Sequence, residues 1–182
     1  MKILGIDPGS LKAGYAVVET VNNKPLYICS GIIKFKSTDN FFERLMNLSI
    51  TIKEIVQEHK PDEVVLESLV YVKNVSSLAK LSQARGAMIS ALEGISAERI
   101  FEYSPNLIKS VVSGHGHSSK EGIEKMVQLI LGKKITFESS DESDALAIAL
   151  SHFLMRNKMS LPRGESKSKA KNIKDHFAHM IK

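Results

Sequence analysis

Four acidic residues stand where a fold can gather them: Asp7, Glu67, Asp141 and Asp144. Asp7 closes the apolar run Ile3-Leu4-Gly5-Ile6 just before Pro8-Gly9, and Glu67 closes Val64-Val65-Leu66. Asp141 and Asp144 open the stretch Ala145-Leu146-Ala147-Ile148-Ala149-Leu150. Their spacing of three puts both carboxylates on one face of a helix. With the strands side by side and the helix packed over their ends, the four converge. Four carboxylates do not stay ionised together without a cation. Oxygen-only ligands suit a hard ion such as magnesium or manganese, and a carboxylate-bound metal pair is a common means of cutting or joining phosphodiesters. Each residue alone has a plainer reading. Asp7 can close a turn through its side chain, Glu67 can be a solvated strand end, and Asp141 with Asp144 can cap the helix. The signal lies in the set and its order.

The elements that must position these residues alternate along the chain. Residues 2–7 read as a buried strand. Gly14 to Thr20 and Leu26 to Lys36 read as two more, with Asn22-Asn23 as the turn between them. From Asp39 to His59, Leu45, Leu48, Ile52, Ile55 and Val56 recur at helical spacing. Val64 to Glu67 is a short strand. Leu78, Leu81, Met88, Ile89 and Leu92 mark a second helix whose small residues permit close approach of another element. Arg99 to Tyr103 is a fifth strand, and Pro105 suits the first turn of a short helix. Ile123, Met126, Val127, Ile130 and Leu131 follow an amphipathic pattern. A last helix runs from Asp141 to Arg156. This order predicts an α/β fold with a five-stranded mixed sheet flanked by helices on both faces.

At 182 residues the chain fits one domain with a sizeable core. Cys29 is the only cysteine, which excludes an internal disulfide and a cysteine-based zinc site. A lone cysteine fits a reducing, cytoplasmic setting; no signal peptide is read at the N-terminus and no apolar stretch approaches the ~20 residues of a membrane span. The net charge of +5 is uneven: from Arg156 onward eight Lys/Arg face only Glu165 and Asp175, which leaves the body close to neutral. We read residues 1–157 as the folded domain and 158–182 as a basic, flexible tail. Such a tail either contacts nucleic acid or is simply solvated. Its end, Phe177-Ala178-His179-Met180-Ile181, is apolar and fits either a short docking helix or a disordered terminus.

Ile6-Asp7-Pro8-Gly9-Ser10, Leu66-Glu67, Lys73-Asn74, Gln83-Ala84-Arg85-Gly86 and Asp141-x-x-Asp144-Ala145-Leu146-Ala147 come in the order and at the separations of a known family. Glu102-Tyr103-Ser104-Pro105 and the Gly114-x-Gly116 loop fall in place as well. Over roughly residues 1–155 the chain resembles RuvC, the bacterial Holliday junction resolvase. The resemblance implies an RNase H-like fold, a homodimer, and metal-dependent symmetric nicking of two opposed strands of a four-way DNA junction. It implies sealable 5′-phosphate and 3′-hydroxyl ends, a preference for short thymine-containing sequences, and work alongside the RuvA and RuvB branch-migration proteins. Asp7 would bridge two Mg2+ ions, with Mn2+ as a substitute. Glu67 would complete the shell of one ion, and Asp141 with Asp144 would hold the other. Lys109 and Lys120 match basic positions near the catalytic face, although each also reads as a solvated helix lysine. Lys120 is expected to steady the scissile phosphate at a helix N-terminus. Lys73, Lys80 and Arg85 are further DNA-contact candidates, and Arg85 equally fits a dimer interface.

Two features depart from the pattern or invite another reading. Where family members often carry a phenylalanine three positions after the glutamate, this chain has Val70 followed by Tyr71. Tyr71 either takes over stacking on an opened base, a contact contributing about 1–3 kcal/mol, or packs internally. His115 and His117 lack a third nitrogen or sulfur ligand nearby and fit a DNA-contacting loop better than a metal site. Other function classes fit less well, because the chain is too short for a second lobe, all four mutually repelling acids are kept, and the Gln83-Ala84-Arg85-Gly86 and Asp144-Ala145-Leu146-Ala147 motifs fit RuvC better. Gly5-Ile6-Asp7-Pro8-Gly9-Ser10 also resembles the first phosphate loop of actin-like kinases, which need a second lobe. A non-catalytic junction-binding module would keep the fold, and an RNA–DNA hybrid nuclease would share it.

Overall fold

The computed structural model describes residues 1–36, 38–69, 74–114 and 118–159. Five strands form one sheet: β1 (Lys2–Asp7), β2 (Lys12–Val21), β3 (Lys24–Lys34), β4 (Glu63–Glu67) and β5 (Ile100–Tyr103). Their order is β3-β2-β1-β4-β5. The first three are antiparallel, while β4 and β5 run parallel to β1, so the expected mixed sheet is present. Asn22 and Asn23 both take positive φ, 50° and 59°. A tight hairpin turn of matching twist requires this, and asparagine tolerates it.

Helices cover both faces. α1 (Phe41–His59) and α2 (Val75–Ser90) lie on one. There Leu48, Ile52, Ile55, Val56, Ala84 and Met88 meet Leu4, Ile6, Val17, Val64 and Leu66 of the sheet. α3 (Pro105–Ser113), α4 (Lys120–Leu131) and α5 (Ser140–Met159) lie on the other. There Ile108, Val112, Ile123, Val127, Leu146, Ile148 and Leu150 meet Ile3, Val18 and Val65. Strand alternation sorts the residues: Leu4 and Ile6 face α1 and α2, which leaves Ile3, Gly5 and Asp7 for the α5 side. Each helix start has its signal. Asn40, Asn74, Ser104 and Ser119 cap α1 to α4 by accepting a backbone N–H.

α5 is the central helix of its face and sits unusually close to the sheet. A Cβ added at Gly5 would lie 2.4 Å from the Ala145 carbonyl oxygen, and one at Gly14 would lie 1.9 Å from that of Asp141. Glycine on the strands and alanine on the helix let the two backbones nearly touch.

At the far end of α5 a buried polar chain ties three elements together. His152, 1% exposed, lies 2.6 Å by Nε2 from Glu63 on β4 and 2.6 Å by Nδ1 from the Tyr103 hydroxyl on β5. A carboxylate only accepts, so Nε2 carries the proton and Nδ1 accepts from Tyr103. Arg156 closes an ion pair onto the same Glu63. Burial holds the His152 pKa below its ordinary value despite Glu63, so the ring is neutral in the fold. The unfolded chain binds this proton first as pH falls, so the stability supplied here is present above about pH 6.5 and is lost below it. His152→Ala should lower unfolding free energy by about 2–4 kcal/mol at neutral pH. It should also flatten the decline between pH 7 and 5 in urea titrations. An undiminished acid slope in the variant would place the sensitive proton elsewhere.

Candidate metal and nucleic-acid site

The strand ends carry the site. Asp7 is the last residue of β1 and Glu67 the last of β4, and their preceding residues pair as Ile6↔Leu66. Alternation turns both carboxylates toward α5. The Ser68 N–H donates to the Tyr103 carbonyl at 2.8 Å, which prolongs the β4–β5 pairing past Glu67 and fixes its height. Asp7 stands opposite Gly14 in the β1–β2 register, and Gly14 is the residue against which the Asp141 backbone rests. Asp144 follows one helical turn later. The four residues singled out from sequence are therefore neighbours.

Their electrostatics agree. The Asp7 carboxyl is pushed up to about 8 by burial first, then by Glu67, Asp144 and Asp141, with Lys120 opposing. Glu67 is raised by burial and by Asp144, and Lys109 and Lys120 pull it back. Asp144 is raised by burial and lowered chiefly by Lys120, whose ammonium lies 3.4 Å from it. Lys120 also donates to Ser140 Oγ at 3.2 Å, so this first residue of α4 bridges to the first turn of α5.

Among the described residues, no three acidic, histidine or cysteine side chains are already drawn into a ligation cluster. Partners elsewhere explain this. Asp141 accepts from Ser139 Oγ at 3.1 Å, and Asp144 leans to Lys120. The donor set, all oxygen, partly buried and mutually repelling, fits a hard divalent ion.

The basic candidates divide between the two faces. Lys109, on α3, is near enough to Glu67 and Asp144 to lower both, and it belongs with Lys120 on the carboxylate side. Lys80 is exposed on α2, its ammonium 6.0 Å from the Phe41 ring centre at the start of α1. Arg85 turns inward and donates to Glu102 at 2.7 Å, on the face opposite the carboxylates. That ion pair, linking α2 to β5, ties down the guanidinium that was a DNA-contact candidate. Tyr71, Lys73, His115 and His117 lie outside the described residues, as does the tail beyond residue 159.

Sequence reasoning passed over Glu142. It lies between Asp141 and Asp144 and is 7% exposed, accepting from Ser30 Oγ on β3 at 2.6 Å and from the Glu138 N–H at 2.7 Å. The available signal was a glutamate in the first helical turn, where it can satisfy a free N–H just ahead of the helix.

The model of the family described as crossover junction endodeoxyribonuclease RuvC matches residues 3–152. The chain belongs to the RuvC family. A crossover junction endodeoxyribonuclease RuvC of Chromohalobacter salexigens is 41% identical over 91% of this chain and 89% of its own. Another of that description, from Agrobacterium fabrum, is 36% identical over 84% of this chain and 88% of its own. Among solved structures, Thermus thermophilus RuvC in complex with a Holliday junction substrate superposes with a TM-score of 0.79 at 29% identity, covering 88% of this chain and 97% of that one. The RNase H-like α/β architecture expected from the resemblance is thus the fold of this RuvC-family chain. Among the described residues no helix is long and apolar enough to cross a membrane.

Proposed function

We propose that this protein resolves Holliday junctions by nicking two opposed strands, with Asp7, Glu67, Asp141 and Asp144 as the metal-holding catalytic set. The observation that supports this reading most is the nearness of Glu67, Asp141 and Asp144 to Asp7 on the α5 side of the strand ends, enough that with burial they push Asp7 up to about 8. Membership of the RuvC family supports the substrate. Two Mg2+ ions per subunit, with Mn2+ as a substitute, would supply a nucleophilic water and Lewis acidity at the leaving oxygen. Asp7, raised by all three other carboxylates, would be the ligand common to both ions, Glu67 would complete the shell of one, and Asp141 with Asp144 would hold the other. Protein side chains do the rest: the buried floor excludes bulk water, and Lys120 and Lys109 balance charge brought by a phosphate.

Lys120 is assigned to the scissile phosphate because it opens α4, where free N–H groups and the helix dipole favour anions. Lys120→Ala should slow single-turnover cleavage by about 10²-fold while changing junction affinity by less than about threefold, since it is one of several phosphate contacts. An unchanged rate at saturating protein would remove this role.

Cutting two strands in concert needs two sites, and we propose that a second copy packs on the α1/α2 face. There Phe42, Met46 and Ile50 recur at every fourth residue, and the first two are 69% and 66% exposed. We further assign residues 1–157 to the nuclease unit and 158–182 to a basic tail adding DNA-backbone contacts. The RuvA and RuvB branch-migration proteins are the proposed partners and the cytoplasm the proposed compartment. The test is cleavage of a mobile four-way junction with Mg2+ or Mn2+, beside duplex and RNA–DNA hybrid controls. Paired symmetric nicks confined to the junction are expected. Binding without cutting would instead support a non-catalytic junction-binding module.

A further inference from the structure

We propose that Glu142 is a positioning residue for the metal-holding carboxylates: a strut from β3 that fixes the first turn of α5 and takes no part in ligation itself. The inference rests on the assignment of Asp141 and Asp144 above. An acidic residue flanked by two others is an obvious candidate for a fifth ligand. Helical geometry argues otherwise. At about 100° per residue, position 142 points well away from both 141 and 144, which lie within about 60° of each other. The observed contacts agree. Both Glu142 oxygens are engaged away from Asp7: Oε1 accepts from Ser30 Oγ at 2.6 Å and Oε2 from the Glu138 N–H at 2.7 Å. The chain continues through Ser30, whose Oγ lies 2.9 Å from the Tyr27 hydroxyl. Tyr27 is packed against the α5-side core. Glu142 thereby joins the loop before α5, the helix itself and strand β3.

The consequence is for Asp141 and Asp144. The start of α5 carries both, and its close approach at Gly14 fixes its height but not its rotation about its own axis. A buried carboxylate anchored on two sides fixes that rotation. Residues that hold metal ligands in place typically contribute about 10–100-fold to metal affinity.

The experiment is Mn2+ binding, read by calorimetry and by electron paramagnetic resonance, on full-length protein and on Glu142→Gln, Glu142→Ala, Ser30→Ala and Asp144→Asn. Circular dichroism checks each fold. Glutamine can accept from Glu138 and donate to Ser30, so Glu142→Gln should retain Mn2+ affinity within about threefold. Glu142→Ala should weaken it about 10-fold, with junction affinity in the absence of divalent ions unchanged. Ser30→Ala, the milder change should Glu142→Ala not fold, should weaken it in the same direction. A glutamine variant as impaired as Asp144→Asn would make Glu142 a ligand and overturn the proposal. Undiminished Mn2+ affinity in Glu142→Ala, or in Ser30→Ala if the former does not fold, would overturn it too. If the unaltered protein binds no Mn2+, the carboxylate assignment itself falls, an outcome distinct from either of these.

Discussion

Asp7→Asn yields an inert protein that is more stable than its parent when divalent ions are absent. Both halves come from one fact. Asp7 sits where burial and three other carboxylates all disfavour its charge, enough to push it up to about 8. The fold therefore carries an unfavourable term at neutral pH, and a neutral amide of the same shape removes it. At about 1.36 kcal/mol per pKa unit the upper bound is several kcal/mol. Partial exposure and relaxation of the neighbours reduce this to about 1–2 kcal/mol. The variant should thus unfold at higher urea than the parent in EDTA. With Mg2+ the order reverses. At about 100 times its dissociation constant an ion adds about 2.7 kcal/mol to the parent, and Asp7→Asn, lacking the central ligand, gains little. Cleavage should fall by about 10³-fold or more, while junction binding, carried by cations outside the cluster, persists. A variant less stable than its parent in EDTA would show that Asp7 is satisfied as it stands and would falsify the electrostatic account. Substantial cutting would remove Asp7 from the catalytic set.

What was legible in the sequence was whatever depends on local periodicity. Asp7 and Glu67 could be placed at strand ends because apolar runs stop at them, and the Asn22-Asn23 turn announced its hairpin. The five strands, the helices and the four carboxylates follow from such signals. What was illegible depends on which residues meet across elements. Arg85 reads as a free basic residue until β5 alternation turns Glu102 toward α2. His152 reads as one more residue of an apolar helix until Glu63 and Tyr103 arrive from two separate strands. Glu142 was hidden by the pattern around it, since an Asp-x-x-Asp motif directs the eye past its middle positions. The same holds for α1, where the core stripe Leu48-Ile52-Ile55-Val56 is visible but the second stripe, Phe42-Met46-Ile50, emerges only once the helix is docked and this face stays open. Gly5 and Gly14, which in strands ordinarily signal weakness or a bulge, are here the floor beneath α5.

That floor makes Gly14→Ala a severely damaging single methyl. The new Cβ would sit 1.9 Å from the Asp141 carbonyl oxygen and 2.6 Å from its carbon, with Ala145 Cβ at 3.2 Å. The atoms in the way are backbone, so no rotamer change relieves the clash. Either the start of α5 lifts or β2 bows, and overpacking of this kind ordinarily costs about 1–3 kcal/mol, more where backbone must move. We expect about 3–4 kcal/mol, measured as the loss of unfolding free energy in urea. The position makes the lesion functional as well. Gly14 is the register partner of Asp7, and lifting α5 there carries Asp141 and Asp144 away from Asp7 and Glu67. A displacement near 1 Å in a reacting geometry is worth about 10²-fold in rate, so cleavage should fall by at least that much in the fraction that remains folded. Gly5→Ala offers the comparison. It meets the Ala145 carbonyl at 2.4 Å and Ala149 N at 2.7 Å, one to two turns further along α5 and away from Asp141. It should destabilise similarly while sparing more activity per folded molecule. Equal loss of activity from both would mean that α5 moves as a rigid rod, and that the height of the whole helix, not the local seat under Asp141, sets the carboxylate geometry.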